Sequence, residues 1–423
     1  MGAKLFTGLA ICMFLSLPVM AQEDDANDLN SLFSSLDVHG FYEMRAGYRL
    51  RKDKYEKDMS VMETRLQLDV SSNLDWADLK FKGDVFGCLV MEEADFDLRE
   101  AYIFTIPFGF MDLKVGRQIL TWGTGDLVFI NDLFPKDWQS FFIGRDTEYL
   151  KAPSDAVKVS LFSDLANLDV VYTPQFDSDR FINGERISYW NSMLGRIAGQ
   201  DAIIYVDKPD RWFRDSEIAL RLYKNINNYE LAFYGYRGYW KSPGGQNSAG
   251  RAIFPDLNVY GASLRGALGK GIVNLELGYY QSADDQSGKN ALINNSELRY
   301  LLGYTQEIGR DFTAGFQYYV ECMMDYEDYL DNLSAGSARD RERHLTTVRL
   351  TKLLMNQNLR CSLFTYYSPS DKDVYMRPNV NYKVSDNLAV EVGANVFFGD
   401  YPNTFFGQFR DNTNIYTAVR YSF

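Results

Sequence analysis

The sequence predicts an all-β fold: a single antiparallel transmembrane β-barrel of eighteen strands, with short periplasmic turns and long extracellular loops. Sixteen strands is the alternative count. Three observations carry this reading. The chain opens on a secretory leader, and it continues as alternating segments of roughly ten residues, the length of a tilted spanning strand. It also joins a polar average to an abundance of aromatic side chains.

Lys4 gives the leader a positive start, "LFTGLAICMFLSLPV" is apolar but short, and "VMA" places a small residue before Gln22. Residues 1–21 read as a signal peptide cleaved between Ala21 and Gln22, and residues 22–36 as a short periplasmic segment. A helical anchor would need about 20 apolar residues. A lipoprotein site at Cys12 is disfavoured by bulky Ile11 and by its place inside the apolar run. Past the leader no long apolar run remains.

The chain holds 29 Tyr, 29 Phe and 32 Gly against only 11 Pro, with a mean hydropathy of −0.29. Strands that face lipid on one side and water on the other require that mixture. A large secreted sandwich or solenoid is the competing class, and the strand pattern separates the two. In "NLAVEVGANVFFG", Leu388, Val390, Val392, Ala394, Val396 and Phe398 share one face, while Glu391, Gly393 and Asn395 share the other. That is the period of two a strand demands. "DVYMRPNVNYKV" repeats it, and "ETRLQLDV" sets Leu66, Leu68 and Val70 against Glu63, Arg65, Gln67 and Asp69. The pattern runs over residues 37–423.

Short and long connections alternate. "SSNLDW", "PFG", "SDLAN", "KNINN", "LGKG", "IGRD", "MNQN" and "VSDN" carry the Asn, Asp and Gly of tight turns. Longer stretches such as "RKDKYEKD" and "WKSPGGQNSAGRAIFP" fall between them. Eight turns and nine loops make eighteen strands, and an even number puts both termini in the periplasm. The chain closes on "IYTAVRYSF", an alternating strand ending in Phe423 that resembles the signal read by the outer-membrane barrel assembly machinery. The expected location is the bacterial outer membrane.

The formal net charge is −13, and one unit more negative once Lys4 is removed. That argues against nucleic acid as a partner and suits a surface bridged by divalent cations to lipopolysaccharide; membrane lipid and lipopolysaccharide are the expected surroundings. Cys88, Cys322 and Cys361 form neither a disulfide framework nor a zinc spacing. By parity Cys88 points inward and the other two point to lipid. The two histidines, His39 and His344, lie far apart with opposite facing, which argues against a hydrolase. No cofactor and no metal is implied; the acidic run "DYEDYLDN" lacks the glycine and ligand spacing of a calcium loop.

Parity turns charges of both signs inward: Glu43, Arg45 and Arg49, then Glu63, Arg65 and Asp69, then Lys80, Lys82 and Asp84. Later strands add Arg265, Glu276, Glu297, Arg299, Arg349, Arg377, Lys383, Glu391 and Arg420. These charges either pair to seal the interior or line a water-filled channel. Eighteen strands enclose a lumen too wide for side chains alone, which favours a channel narrowed by an infolded loop.

The stretch "GRQILTWGTGD" (116–126) could be read as a phosphate-cradling loop. Such a loop needs a parallel strand, a crossover helix and a downstream lysine, and none is present. It reads instead as a strand end running into a long loop, residues 120–155. Loops of that length are usually functional or disordered, and Trp122, Phe129, Phe134, Trp138, Phe141 and Phe142 require this one to pack against something. The inner wall is the natural partner, with the glycines serving a tight turn. The candidate pore-lining and signature residues are therefore Glu43, Arg45, Glu63, Arg65, Lys80, Lys82, Arg117, Gln118, Trp122, Asp126, Asp132, Arg377 and Glu391. Arg117 falls on the lipid face by parity, so a bulge or strand end is expected there.

"LREAYIFT", "VGRQILTWGTGD", "NDLFPKDW" and "KAPSDAVKV" resemble a porin-like outer-membrane family of unknown function marked by a GRQ…WG…D signature. More distantly the chain is similar to alginate-export-type barrels. The resemblance implies an outer-membrane channel and carries over Gly116, Arg117, Gln118, Trp122, Gly123 and Asp126 as signature positions. A second long segment (174–215) is expected to hold a short helix near "WNSMLGRIA" and to act as a surface cap or second plug. The expected function is a non-enzymatic, porin-like channel for small polar or amphipathic solutes. A structural sleeve for a secreted or electron-transfer partner is the alternative, with polysaccharide export behind it. A homotrimer or a periplasmic partner would be compatible with either.

Overall fold

In the computed structural model, residues 36–333 and 338–423 are described; the expected leader and nearly all of segment 22–36 lie outside them. Eighteen strands form one antiparallel sheet. In chain order they are β1 (Leu36–Arg49), β2 (Met59–Asn73), β3 (Asp78–Cys88), β4 (Glu93–Phe108), β5 (Met111–Ile119), β6 (Pro153–Leu161), β7 (Asn167–Thr173), β8 (Glu217–Ile226) and β9 (Tyr229–Tyr239). Then come β10 (Asp256–Leu268), β11 (Gly271–Ser282), β12 (Glu297–Gly309), β13 (Phe312–Met323), β14 (Glu342–Leu354), β15 (Leu359–Ser368), β16 (Asp373–Lys383), β17 (Leu388–Gly399) and β18 (Asn414–Ser422).

Each strand pairs with the next, and β18 returns to β1 along a ladder from Phe41↔Ser422 to Arg49↔Asn414. Closure leaves no sheet edge, which is what lets a strand fold cross a bilayer with every backbone group paired. The alternation read from the sequence sets the two surfaces. Leu66, Leu68, Val392 and Phe398 are exposed on the outside, whereas Glu63, Arg65, Gln67, Glu391 and Asn395 are buried. An apolar exterior of this extent around a charged interior is the pattern of a transmembrane barrel. Pro378 sits inside β16 without breaking the barrel. It lacks an N–H, and the β16–β17 ladder passes from Met376↔Val396 to Asn379↔Gly393 around it.

The eight expected turns join the strands at one end. At the other, seven connections are long and two, residues 89–92 and 369–372, are as short as turns. The segment expected to be helical near "WNSMLGRIA" is instead an antiparallel hairpin, Tyr189–Asn191 paired with Arg196–Ala198. Asn191 Oδ1 accepts from the Leu194 N–H at 3.0 Å, and Gly195 takes φ +60°. These two features close a tight turn and outcompete a helix. The acidic run "DYEDYLDN" forms a short helix, Tyr326–Asn332. Among the described residues no three potential ligands gather around one metal position.

Candidate functional site

Residues 120–152 leave β5 and tie to the walls of the barrel on many sides before entering β6. The tip meets β10, β11, β13, β14 and β15. The Glu276 carboxylate of β11 accepts from the Thr124 N–H, Thr124 Oγ1 at 2.9 Å, the Gly125 N–H at 2.7 Å, the Asn131 N–H at 3.1 Å and Asn131 Nδ2 at 3.0 Å. Gln317 of β13 exchanges two hydrogen bonds with the Asp126 backbone, at 2.7 and 2.8 Å. Arg349 of β14 forms a bidentate pair with the Asp126 carboxylate. The Tyr366 hydroxyl of β15 donates to the Leu127 carbonyl at 2.9 Å.

Two wall glycines make room for the tip. Gly261 of β10 and Gly278 of β11 are cross-strand partners. A Cβ on Gly261 would overlap the Asn131 side chain, and one on Gly278 would lie 2.6 Å from Ile130 Cγ2. Glycine inside a strand marks such close approach. The "TWGTGD" stretch thus does gather donors around an anion, but the anion is the protein's own Glu276.

The return limb carries helix α1 (Trp138–Ile143). Asp137 caps its start, accepting from the Ser140 N–H, and Gly144 ends it at φ +86°. A Cβ on Gly144 would overlap the Tyr416 ring, so the residue serves both conformation and clearance. Phe142 packs on Tyr375, Phe397 and Phe409 with centroids at 5.4, 5.7 and 4.8 Å. Tyr375 and Phe397, on β16 and β17, stack at 4.3 Å. Beyond the helix, Arg145 pairs with Glu63. Tyr149 lies between two guanidinium groups, Arg65 at 4.6 Å and Arg99 at 4.5 Å from its ring centre.

The extracellular segment 174–216 caps this loop. Asp179 accepts from the Lys136 N–H at 2.7 Å, Trp138 Nε1 at 3.1 Å and Ser242 Oγ at 2.7 Å. Burial pushes its carboxyl up. The neighbouring Asp177 is pushed up to about 6, chiefly by burial and further by Asp155 and Glu217. Arg180 ties the cap to Asp97 of β4 at 2.7 Å.

The structure gathers most of the sequence-predicted residues into buried ion networks. Glu43 pairs with Arg45 at 3.0 Å and Arg420 at 2.8 Å, and Arg45 reaches Glu391 at 3.3 Å. Arg65 bridges Glu63 at 2.7 Å and Asp84 at 2.6 Å. Lys80 pairs with Asp69, and Lys82 meets Glu148 of the loop at 3.4 Å. Arg377 sets its guanidinium 4.0 Å over the Phe141 ring. Trp122 packs edge-on to Phe134 at 5.0 Å, and Asp132 pairs with Lys136 at 3.0 Å.

Gln118 is fully buried and donates to the Ala156 carbonyl at 3.0 Å. Arg117 stands apart from these networks. No register shift interrupts its ladder with β6, and it lies near the end of β5 opposite Asp155. A bidentate pair at 2.8 Å neutralises both side chains, so the charge is accommodated at the strand end without a bulge at that ladder.

His39 meets Asp37 at one end of the barrel and His344 meets Tyr318 at the other. Sequence reasoning placed Glu276 and Arg349 inward but did not single them out, and it missed Asn131, Gln317, Arg145 and Tyr149. The only available signal was the pair of strand glycines at 261 and 278, whose registration is visible only once the strands are paired.

A closed eighteen-stranded barrel with an apolar exterior, a charged interior and a loop anchored to its inner wall is a porin-type barrel. The chain belongs to the family described as "Protein of unknown function (DUF1302)", whose model matches residues 90–346, more than half of its length. That span includes the GRQ…WG…D stretch. No curated protein matches the chain in sequence. Among solved structures it is similar to OccAB3 of Acinetobacter baumannii, at 12% identity and a TM-score of 0.56, covering 92% of this chain and 99% of that one. OccAB4 of the same organism matches at 10% identity and 0.56, covering 92% and 98%. OccK5 (OpdH) of Pseudomonas aeruginosa matches at 13% and 0.53, covering 92% and 96%. At these identities the likeness establishes the fold, that of outer-membrane porins.

Proposed function

We propose that the protein is a bacterial outer-membrane channel through which small polar or amphipathic solutes diffuse, with loop 120–155 narrowing its lumen. One observation supports this above the rest: the loop's tip and return limb are bonded to inward-facing residues of strands on opposite arcs of the barrel. A passage beside it would be bordered by the charged side chains of the inner wall, which favour solutes that keep water or polar groups around them. Small solutes, lipid and lipopolysaccharide are the proposed partners, with insertion by the barrel assembly machinery. No catalytic role is proposed for either histidine.

Single-channel recording of refolded protein in a planar bilayer tests this. Steady conductance with a defined ion preference is the expected result. Silence from a barrel shown to be folded would overturn it. The density of loop–wall bonds also favours a second reading, a filled barrel that anchors a partner. That reading expects no conductance and a stoichiometric companion in gentle membrane extracts.

A further inference from the structure

We infer that the loop segment Thr124–Asn131 is a carboxylate-binding cradle whose resident occupant is the wall's own Glu276, and that this side chain is the latch holding the loop's tip in place. The inference rests on the proposed reading of the loop as the element that narrows the lumen.

The cradle is built for a carboxylate. One oxygen of Glu276 accepts from the Thr124 N–H, the Thr124 hydroxyl and the Gly125 N–H; the other accepts from the Asn131 N–H and Nδ2. Three of the five donors are backbone amides, which cannot be re-aimed, and both oxygens are served, as an ionised carboxylate requires. Glu276 itself is buried. Its cradle-side partners all come from the loop, while Glu276 belongs to the sheet, so each bond joins the loop to the wall. The glycines shape the cradle. Gly123 takes φ +79° beside the carboxylate, where an added Cβ would lie 3.1 Å from Glu276 Oε1. The paired wall glycines 261 and 278 seat Asn131 and Ile130 next to it.

No other wall side chain collects so many loop donors among the described residues. Gln317 holds a single backbone position, and the Arg349–Asp126 pair is partly exposed and open to screening. Removing the Glu276 carboxylate leaves several donors facing an apolar gap at once, so the tip should leave the wall, and the vacated cradle should accept a free carboxylate of similar size.

The test is single-channel recording of Glu276→Ala and Glu276→Gln beside the unaltered protein, each shown to be folded by its heat-dependent gel mobility. Glu276→Ala is expected to give a larger and noisier conductance. Sodium acetate at tens of millimolar should return it toward the quiet level, whereas sodium chloride at equal ionic strength should not. Glu276→Gln, which puts an amide N–H against the cradle's donors, should be noisy and unrescued. Gly261→Ala fills the seat of Asn131 without touching the carboxylate, and should reproduce the noise without the acetate response.

Unchanged conductance in Glu276→Ala, in a barrel that widens when residues 124–131 are deleted, would overturn the latch and leave the narrowing loop intact. Unchanged conductance in both would overturn the narrowing reading itself. Noise that acetate and chloride quell equally would overturn the cradle.

Discussion

The two limbs of loop 120–152 are held by different balances of polar bonds and burial. The tip relies heavily on polar bonds, in which a wall carboxylate, a glutamine and an arginine meet backbone amides and one aspartate, beside the buried side chains of Val128 and Ile130. The return limb relies more on aromatic burial, with Phe141 and Phe142 packed on rings from β15 to β17 and Ile143 buried beside them, and adds the Arg145–Glu63 pair. A hydrogen bond exchanges protein partners for water and nets about 0.5–1.5 kcal/mol, or about 1.5–3 kcal/mol where one partner is charged. A buried phenylalanine contributes about 1.5–3 kcal/mol, and its contribution does not depend on a particular geometry. The polar bonds of the tip can therefore be removed one group at a time, whereas the helix is held chiefly by its packing.

The strongest way to break that contrast is Phe142→Ala. It empties a fully enclosed site and should cost about 3–5 kcal/mol, read as a lower urea midpoint for unfolding from micelles. A midpoint close to that of the unaltered protein would mean that the helix rests on the wall without being anchored by it.

Glu63→Gln comes next. Glu63 serves both Arg65 and Arg145, and breaking a buried pair costs about 3–5 kcal/mol. The low end is expected, because Arg65 keeps Asp84. The double change Glu63→Gln with Arg145→Gln should recover part of the loss; equal losses in single and double variants would show that the pair is not coupled.

At the tip, Asp126→Asn should cost less than about 1 kcal/mol, since the pair with Arg349 is partly exposed. It frees a guanidinium beside the lumen, so the reversal potential should shift toward anions. A stability loss as large as that of Phe142→Ala would erase the distinction between the limbs.

The smallest effect concerns the outer cap and pH. Burial pushes the carboxyl of Glu56, in the loop between β1 and β2, up to about 7, and that of Asp177 up to about 6. For an acid with a raised pKa, the folded form binds protons that the released form gives up. The resulting stabilisation is complete below about pH 4 and is lost as pH rises through 6 to 7. Amide exchange in residues 174–216 should accordingly quicken between pH 5 and pH 8, beyond the intrinsic rate, and Glu56→Gln with Asp177→Asn should flatten that change. A profile that keeps its slope in the double variant would place the titration elsewhere.

Much of this architecture was legible in advance. Strand count, turn positions and facing follow from a period-two pattern in which each residue's environment depends on its immediate neighbours, as Leu66 and Leu68 against Arg65 and Gln67 show. The aromatic content of the long loop, Trp122 to Phe142, announced that it must pack. One local expectation failed and another was met, each for a local reason. The helix near residue 190 gave way to a hairpin through Asn191 and Gly195, whereas Arg117, expected at a bulge or a strand end, lies near the end of β5 and is neutralised by Asp155 on the neighbouring strand.

The amino-acid order by itself determined that the chain closes into a charged-inside, apolar-outside barrel with one long aromatic loop, because alternation and turn chemistry act over a few residues. Only the tertiary structure decided where that loop ends up and what holds it. Thr124 and Glu276 are separated by 152 positions, and Asp126 and Arg349 by 223. Which inward charge meets which loop donor depends on barrel closure and strand register, which place distant residues opposite one another, and no local pattern encodes that pairing.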